Sequence, residues 1–466
     1  MDVPTRTKSP LAGPVLVYGF AATVAMWIAG FITHHPGVHL RPVVPGVLLI
    51  FILLAVCIFA GGTVDARRSW KVGLGTGLLA AILNLLVLGS YLVDPEASNP
   101  GTPKPSAAME AGGFLLVGAV VGVIGGLLGI VLERIFSAKR KELIIPAAEP
   151  DWLARFGLVA VAAVVPLLII GGWVTSSQSG LAVPDWPGTY AANMFLYPIG
   201  LMTRPRIFLE HSHRLFGALT GLTTLVLMLY TLLGGEKRRW MKIFAVILFV
   251  LVVVQGVLGG FRVEDKSTLL ALVHGVVAQL FFALLVAFAA CLSPAFKNPD
   301  YPRGVITSRR PKIVTTALLH TTIVQLILGG VYRHLGSPHA LFTHIGFSLI
   351  VVVFAILASI EVQTMLRTQP DHEWIRLKRS MKALGIALMV CIIVQFSLGW
   401  MTLFTVGMKK GKPELPFAEE AAGAAQPPLL EQLMPTLHQA NGALLLGLAT
   451  LAYVWVLRLW RRAPRA

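Results

Sequence analysis

Charge is scarce in this chain. Only 13% of its 466 residues are Asp, Glu, Lys or Arg, while 56% are hydrophobic and the mean hydropathy is +0.75. Soluble globular domains carry about 25% charged residues, so that class is excluded. Carboxylates are the scarcest: 22 Asp and Glu stand against 39 Lys and Arg, for a formal net charge of +17. Cysteine is nearly absent, and Cys57, Cys291 and Cys391 all lie in apolar runs. That excludes a disulfide framework and leaves them as packing residues. No Cys-x-x-Cys-His occurs, which excludes c-type haem attachment. The apolar runs also lack the alternating polar residues of barrel strands, so helices are the spanning element.

What the chain has is apolar length. A helix needs roughly 20 apolar residues to cross a ~30 Å hydrocarbon core. Twelve such runs lie near 12–33, 44–63, 72–93, 111–135, 156–175, 207–233, 241–261, 268–292, 313–332, 340–366, 383–405 and 433–458. The first follows Arg6 and Lys8, and its length without an Ala-x-Ala-like cleavage site marks a retained helix rather than a signal peptide. The expected fold is therefore an all-α polytopic membrane protein of about twelve transmembrane helices. Membrane lipid is its surrounding partner.

The positive charge invites a nucleic-acid reading, and its distribution rejects it. Basic blocks fall in short loops: Arg6/Lys8, Arg67/Arg68/Lys71, Arg134/Lys139/Arg140/Lys141/Arg155, Lys237/Arg238/Arg239/Lys242, Lys297/Arg303/Arg309/Arg310/Lys312, Arg367/Arg376/Lys378/Arg379/Lys382 and Arg458/Arg461/Arg462/Arg465. Two spans separate consecutive blocks, which is the positive-inside pattern with both termini in the cytoplasm. The chain then divides into a four-helix region over 1–135, a basic cytoplasmic linker over 136–155, helices over 156–292, a second linker over 293–312 and helices over 313–466.

The last eight spans contain a repeat. Alternate helices end in a glycine pair or its near-equivalent, in IIGGWVT (Gly171, Gly172), VQGVLGGFRV (Gly259, Gly260), VQLILGGVYRH (Gly329, Gly330) and VQFSLGWMTLF (Gly399, Trp400). Each following helix carries a histidine near its outer end, in EHSHRLFG (His213), LVHGVVAQ (His274), LFTHIGFS (His344) and LHQANGALLLG (His438). The block reads as two copies of a four-helix unit or four copies of a helix pair, an organisation common in membrane proteins. A histidine within a span is costly and marks a functional candidate, although a lone one is more often a hydrogen bond to a neighbouring helix. Four at equivalent positions, two per four-helix unit, suit bis-imidazole coordination of haem in a bundle. Glycines there let a macrocycle or a helix come close, or serve packing alone. Zinc suits the pattern less, since it gathers four ligands at one point.

Around the first histidine the segment reads Glu210-His211-Ser212-His213-Arg214. Glu210 and His213 share a helix face. A carboxylate beside a ligand can exchange protons or stabilise positive charge. The alternative is a helix-end ion pair with Arg214. His211 competes with His213 as ligand, and alignment with the other three favours His213. In the loop 176–206, Trp186 and Tyr190, with Trp173 before it, read as interfacial anchors that could also cover a haem. His34, His35 and His39 in the first outer loop read as solvated residues rather than a ligand set. The eight-helix block shows no ionisable residue at mid-span, which lowers a transporter reading.

Together GGWVTSSQSGLAVPDWP, EHSHR, QGVLGG, the paired histidines and LHQANGALLLG make 151–466 similar to the haem A synthases of bacterial membranes and mitochondria. The resemblance implies two pseudo-symmetric four-helix bundles. It implies that His213 and His274 are axial ligands of the substrate haem O, in 156–292. It makes His344 and His438 axial ligands of a haem b cofactor, in 313–466. Glu210 matches the family's essential glutamate, and the implied reaction oxidises a ring methyl of haem O, through a hydroxymethyl stage, to the formyl group of haem A. Expected partners are a haem O donor (a haem O synthase), cytochrome oxidase assembly proteins and an electron acceptor, with a homo-oligomer among the expected states and the bacterial inner membrane as the location. The loop 176–206 lacks the cysteine pair that some bacterial members carry, and the first 150 residues have no counterpart in the family pattern. Two other readings use the same histidines: a dihaem b-type electron-transfer cytochrome that oxidises quinol, and a haem carrier or assembly factor.

Overall fold

The computed structural model describes residues 10–94, 96–97, 99, 101–138, 150–197, 199–298, 303–407 and 426–461. Arg6, Lys8, Lys139, Arg140, Lys141, Arg462 and Arg465, and with them much of the 136–155 linker, lie outside the described residues. Among the described residues twelve helices are long and apolar enough to cross a membrane, and the chain is a multi-pass membrane protein. They are α1 (Ala12–His34), α2 (Val43–Gly62), α3 (Ala66–Leu88), α4 (Ala107–Ala138), α5 (Trp152–Ser176), α6 (Pro205–Leu233), α7 (Arg239–Glu264), α8 (Thr268–Leu292), α9 (Arg310–Leu335), α10 (Pro338–Thr364), α11 (Asp371–Thr402) and α12 (Leu429–Leu459). The helix α11 starts a dozen residues before its apolar run. Once a helix is nucleated each added residue gains a hydrogen bond, so it runs on past the apolar stretch into DHEWIRLKRS.

The described residues form two compact units. The first comprises Met1–Ala163 and Pro187–Leu215. Lipid tails are as apolar as leucine, so helices in a membrane associate by close packing rather than by burying oil from water. The glycines of α3 and α4 supply that closeness: a Cβ on Gly73 or Gly77 would collide with the backbone of Gly122 or Gly118. The Ser69 hydroxyl lies 2.6 Å from the Gly61 carbonyl and 2.9 Å from that of Gly126, tying α3 to α2 and α4. At the outer side of this unit, Phe208 in α6 stacks on Phe31 in α1 with centroids 5.3 Å apart. The His35 ring meets the same Phe208 edge-on at 5.6 Å. His35 is therefore packed rather than solvated, and burial pulls its pKa below the ordinary imidazole value. His34 lies 2.9 Å from the Gly30 carbonyl through Nδ1 and 3.1 Å from the Tyr91 hydroxyl through Nε2, so the neighbouring histidines diverge.

The second unit comprises Val164–Trp186 and Phe216–Ala466. Within it α9, α10, α11 and α12 close a ring of neighbours, each touching the next and α12 returning to α9. Leu318, Ala355, Ala358, Leu388, Ala449, Ala452 and Val456 fill its centre, all fully buried. The helix α8 packs on α9 and α12, and α7 on α8. Cys57, Cys291 and Cys391 are buried free thiols, as packing residues should be.

Two short turns set the register of the site. Between α7 and α8, Lys266 takes a left-handed φ of 49° and Ser267 caps α8 by accepting from Leu270 N at 3.2 Å. Between α9 and α10, Gly336 has φ 62° and Ser337 caps α10 by accepting from Ala340 N at 3.4 Å. A serine cap satisfies one of the orphan N–H groups of the new helix, so each chain reversal is completed within a few residues.

Candidate functional site

In three places the last part of one helix lies against the first part of the next in the same way. A Cβ built on Gly259 would lie 3.1 Å from His274 Cε1, one on Gly329 2.8 Å from His344 Cε1, and one on Gly399 3.2 Å from His438 Cε1. Glycine lets the backbone lie against the flank of the imidazole at these points. Of each glycine pair in these helices, it is the first member, Gly259 or Gly329, that meets the histidine. Gly260 instead lies under the Trp186 ring, and Gly330 faces Leu272 of α8. The first glycine pair behaves differently again: Gly172 faces Gln439 and Thr436 of α12. Three of the four sequence copies thus share one glycine–histidine contact, and that three-fold agreement is the regular part of the repeat.

One turn before each of these glycines stands a glutamine, which sequence reasoning misses. Gln255 Nε2 donates to the His274 carbonyl at 3.3 Å. Gln325 Nε2 donates to the His344 carbonyl at 2.9 Å and lies 3.3 Å from its Nε2. Gln395 Nε2 lies 3.2 Å from His438 Nδ1. The signal was present, since Gln255, Gln325 and Gln395 follow a valine at equal intervals along the chain.

His344 and His438 are brought together, with ring centroids 6.2 Å apart and planes at 78°. Two imidazole nitrogens each about 2 Å from one metal ion place their ring centroids about 6 Å apart, which is the spacing of this pair. His344 Nδ1 lies 3.1 Å from the Gln325 carbonyl. An imidazole that donates through Nδ1 leaves Nε2 as the ligand and is held in orientation by the carbonyl. His274 and its glycine and glutamine lie in the same unit as this pair.

Glu210 and His213 lie in the first unit, in the opening turns of α6. Glu210 is only 2% exposed. Its Oε1 accepts from Arg214 Nε at 3.3 Å, so the helix-end ion pair that the sequence offered as an alternative is present. That pair engages one oxygen, and Oε2 is buried without a hydrogen-bond partner. Arg214 is anchored through Nη1 to the Gly188 carbonyl at 2.7 Å. A carboxylate oriented by one oxygen and open at the other can bind water, a proton or a developing cation. His211 is fully buried, with Nδ1 3.1 Å from Thr189 Oγ1 and its ring 5.5 Å from that of Tyr197. Its ring thus packs against the loop that precedes α6.

The aromatic residues expected to anchor in the interface are tied to protein. Trp173 Nε1 donates to Gln432 Oε1 at 2.8 Å, and Trp186 covers Gly260. The expectation of no ionisable residue at mid-span also fails, for His320 lies within α9 with Nδ1 2.8 Å from the Thr316 carbonyl. It faces outward, away from the bundle. No group of three His, Cys, Asp or Glu side chains converges as a metal site among the described residues.

Residues 201–343, which include Glu210, His213 and His274, match the family described as "Cytochrome oxidase assembly protein". A haem A synthase of an Exiguobacterium species is 29% identical over 193 residues, 40% of this chain and 60% of its own length. One of Symbiobacterium thermophilum is 30% identical over 198 residues, 40% of this chain and 61% of its own length. One of Granulibacter bethesdensis is 27% identical over 330 residues, 60% of this chain and 85% of its own length. The chain thus spans about 60% of the length of the first of these relatives. No solved structure matches it. These similarities make the chain similar to haem A synthases, on a segment that carries the buried glutamate and the first histidines.

Proposed function

We propose that the chain is an oxidoreductase that makes haem A from haem O for terminal oxidase biogenesis. One ring methyl is oxidised through a hydroxymethyl stage to a formyl group. With water as the oxygen source, methyl plus water yields formyl, four electrons and four protons. His213 and His274 would hold the substrate haem O, and His344 and His438 would hold a resident haem b. When bound, that resident group would supply a one-electron redox centre.

The residues of the chain do the rest. Gln325 and Gln395 hold the imidazoles of His344 and His438 in orientation, and Gln255 braces the backbone of His274. Gly259, Gly329 and Gly399 let each histidine helix approach closely enough for its ring to be wedged. Glu210, oriented by Arg214, offers its open oxygen to a proton, a water molecule or positive charge developing at the substrate. The observation that carries this reading is the thrice-repeated contact of glutamine and glycine with a membrane histidine, ending in a pair spaced for one iron. On the same reading the chain sits in the bacterial inner membrane with both termini cytoplasmic. It receives haem O from a haem O synthase, passes electrons to an acceptor and works beside oxidase assembly proteins, as a homo-oligomer or alone.

The test is the pigment of the purified protein, expressed with and without a haem O supply. Haem A or hydroxylated haem O beside haem B is the expected result. Haem B alone, with haem O supplied, refutes the proposal and leaves the dihaem electron-transfer reading.

A further inference from the structure

The segment Ser176–Gly180, SSQSG, ends α5 in a compact buried turn that the roles above do not use. Ser177 and Ser179 are fully buried, with their hydroxyl oxygens 2.6 Å apart. Gln178 takes a left-handed φ of 56°, a conformation that a glutamine adopts only where its surroundings impose it. Two arginines rest on this turn. Arg333, from the last turn of α9, donates through Nη2 to Ser176 Oγ at 3.1 Å. Arg262, from the last turn of α7, packs its guanidinium directly on Gly180, where any Cβ would collide with it.

Neither guanidinium has a carboxylate partner among the described residues. The nearby acids of the α7–α8 turn, Glu264 and Asp265, are exposed, whereas both arginines are partly buried. His334 adds an imidazole to the cluster: its Nε2 lies 4.0 Å from where a Cβ on Gly275 would be, beside the ligand candidate His274. Two guanidinium charges in a half-buried place are costly unless an anion joins them. The arginines are also not part of the repeated scaffold. Arg262 follows Gly259 by three residues and Arg333 follows Gly329 by four, while the third copy has Thr402 and Leu403 after Gly399. They stand about one turn, roughly 5 Å, further toward the helix ends than the glycines that face the imidazoles. The guanidinium fork matches a carboxylate in shape and can bind it through two hydrogen bonds.

We propose that Arg262, Arg333 and His334, gathered on the Ser176–Gly180 turn beside His274, form the carboxylate clamp for the propionate pair of the tetrapyrrole bound at His274. This rests on the haem reading given above and adds to it the determinant that fixes which edge of the macrocycle faces outward. A ring methyl can be presented to one carboxylate only if the ring is prevented from rotating about its axial ligands, and the clamp supplies that constraint.

The test is a titration of the full-length protein in nanodiscs, followed by Soret absorbance, with iron protoporphyrin IX and with its dimethyl ester. The wild type should bind the free acid at least about tenfold more tightly than the ester. Arg262→Gln and Arg333→Gln should each weaken binding of the acid by about tenfold and leave that of the ester unchanged. Gly180→Ala should act in the same direction by displacing Arg262. Equal wild-type affinities for acid and ester, or variants that weaken both alike, would overturn the clamp while leaving haem binding at His274 intact. A titration unchanged by His274→Ala would overturn the haem site, and the clamp with it. The ester titration reports whether each variant still folds around its pocket.

Discussion

Replacing Gly329 by alanine should loosen whatever His344 holds. The added Cβ would stand 2.8 Å from His344 Cε1 and 3.2 Å from Nδ1. Relaxed carbon contacts lie at about 3.5–4.0 Å, so the ring must retreat by roughly 0.7–1 Å. It has little room to do so. The Gln325 carbonyl holds Nδ1 at 3.1 Å, and the Gln325 side chain holds the His344 carbonyl at 2.9 Å. Overpacking of this kind costs about 1–3 kcal/mol. At about 1.4 kcal/mol per decade, that is about a 5- to 150-fold loss of affinity for a group liganded by His344. Gly259→Ala and Gly399→Ala, with first contacts at 3.1 and 3.2 Å, should cost less. Gly256→Ala, in α7 but with nothing within 4 Å, is the matched control. It should hold or raise stability, since alanine favours a helix over glycine by about 0.5–1 kcal/mol. Haem content per protein and the reduced-minus-oxidised spectrum measure the effect. A Gly329→Ala protein with the haem content and spectrum of Gly256→Ala would refute the argument that close approach orients the ligand.

Glu210→Gln should retain bound haem but accumulate unconverted haem O, read by pigment extraction; loss of all haem would make Glu210 structural. Gln325→Leu removes the 2.9 Å bond to the His344 carbonyl, at a cost of about 0.5–1.5 kcal/mol, and should shift the midpoint potential of the haem at His344; an unshifted potential would remove Gln325 from the ligand's support. Phe208→Ala, at a buried position stacked on Phe31, should cost about 3–5 kcal/mol in thermal unfolding and leave the spectrum of the His344–His438 haem intact. Glu236, in the α6–α7 loop, has its carboxyl pulled down to about 2, chiefly by its hydrogen bond to Arg238. A lowered folded-state pKa stabilises above the unfolded value and is lost as pH falls through the folded one. Glu236→Gln should therefore be less stable than wild type at pH 7, with the gap closing between about pH 4.5 and about 2; a gap constant with pH would exclude the ion pair as its cause.

Much was legible in the sequence because a bilayer is a severe solvent. Every backbone group in it must be bonded internally, so apolar length alone places helices, and the twelve runs became twelve helices. Histidine in such a run is rare enough that four at matching positions mark a site without any coordinates. Where the apolar pattern stops, the reading weakens. It misses the polar start of α11, and it treats His35 as solvated because nothing in a linear pattern brings Phe208 to α1.

The sequence alone determined the class of the protein, the candidate ligands and the glutamate, since each follows from residue type, spacing and the cost of polarity in lipid. Tertiary structure decided which glycine of each pair touches a histidine, that a glutamine braces it, and that His344 and His438 stand 6.2 Å apart. It also decided that Glu210 is paired through one oxygen and open at the other, and that Arg262 and Arg333 meet on one turn. Contact between helices depends on rotation about each helix axis and on the exact length of each turn. A shift of one residue rotates a side chain by about 100°, and only the packed molecule fixes that angle.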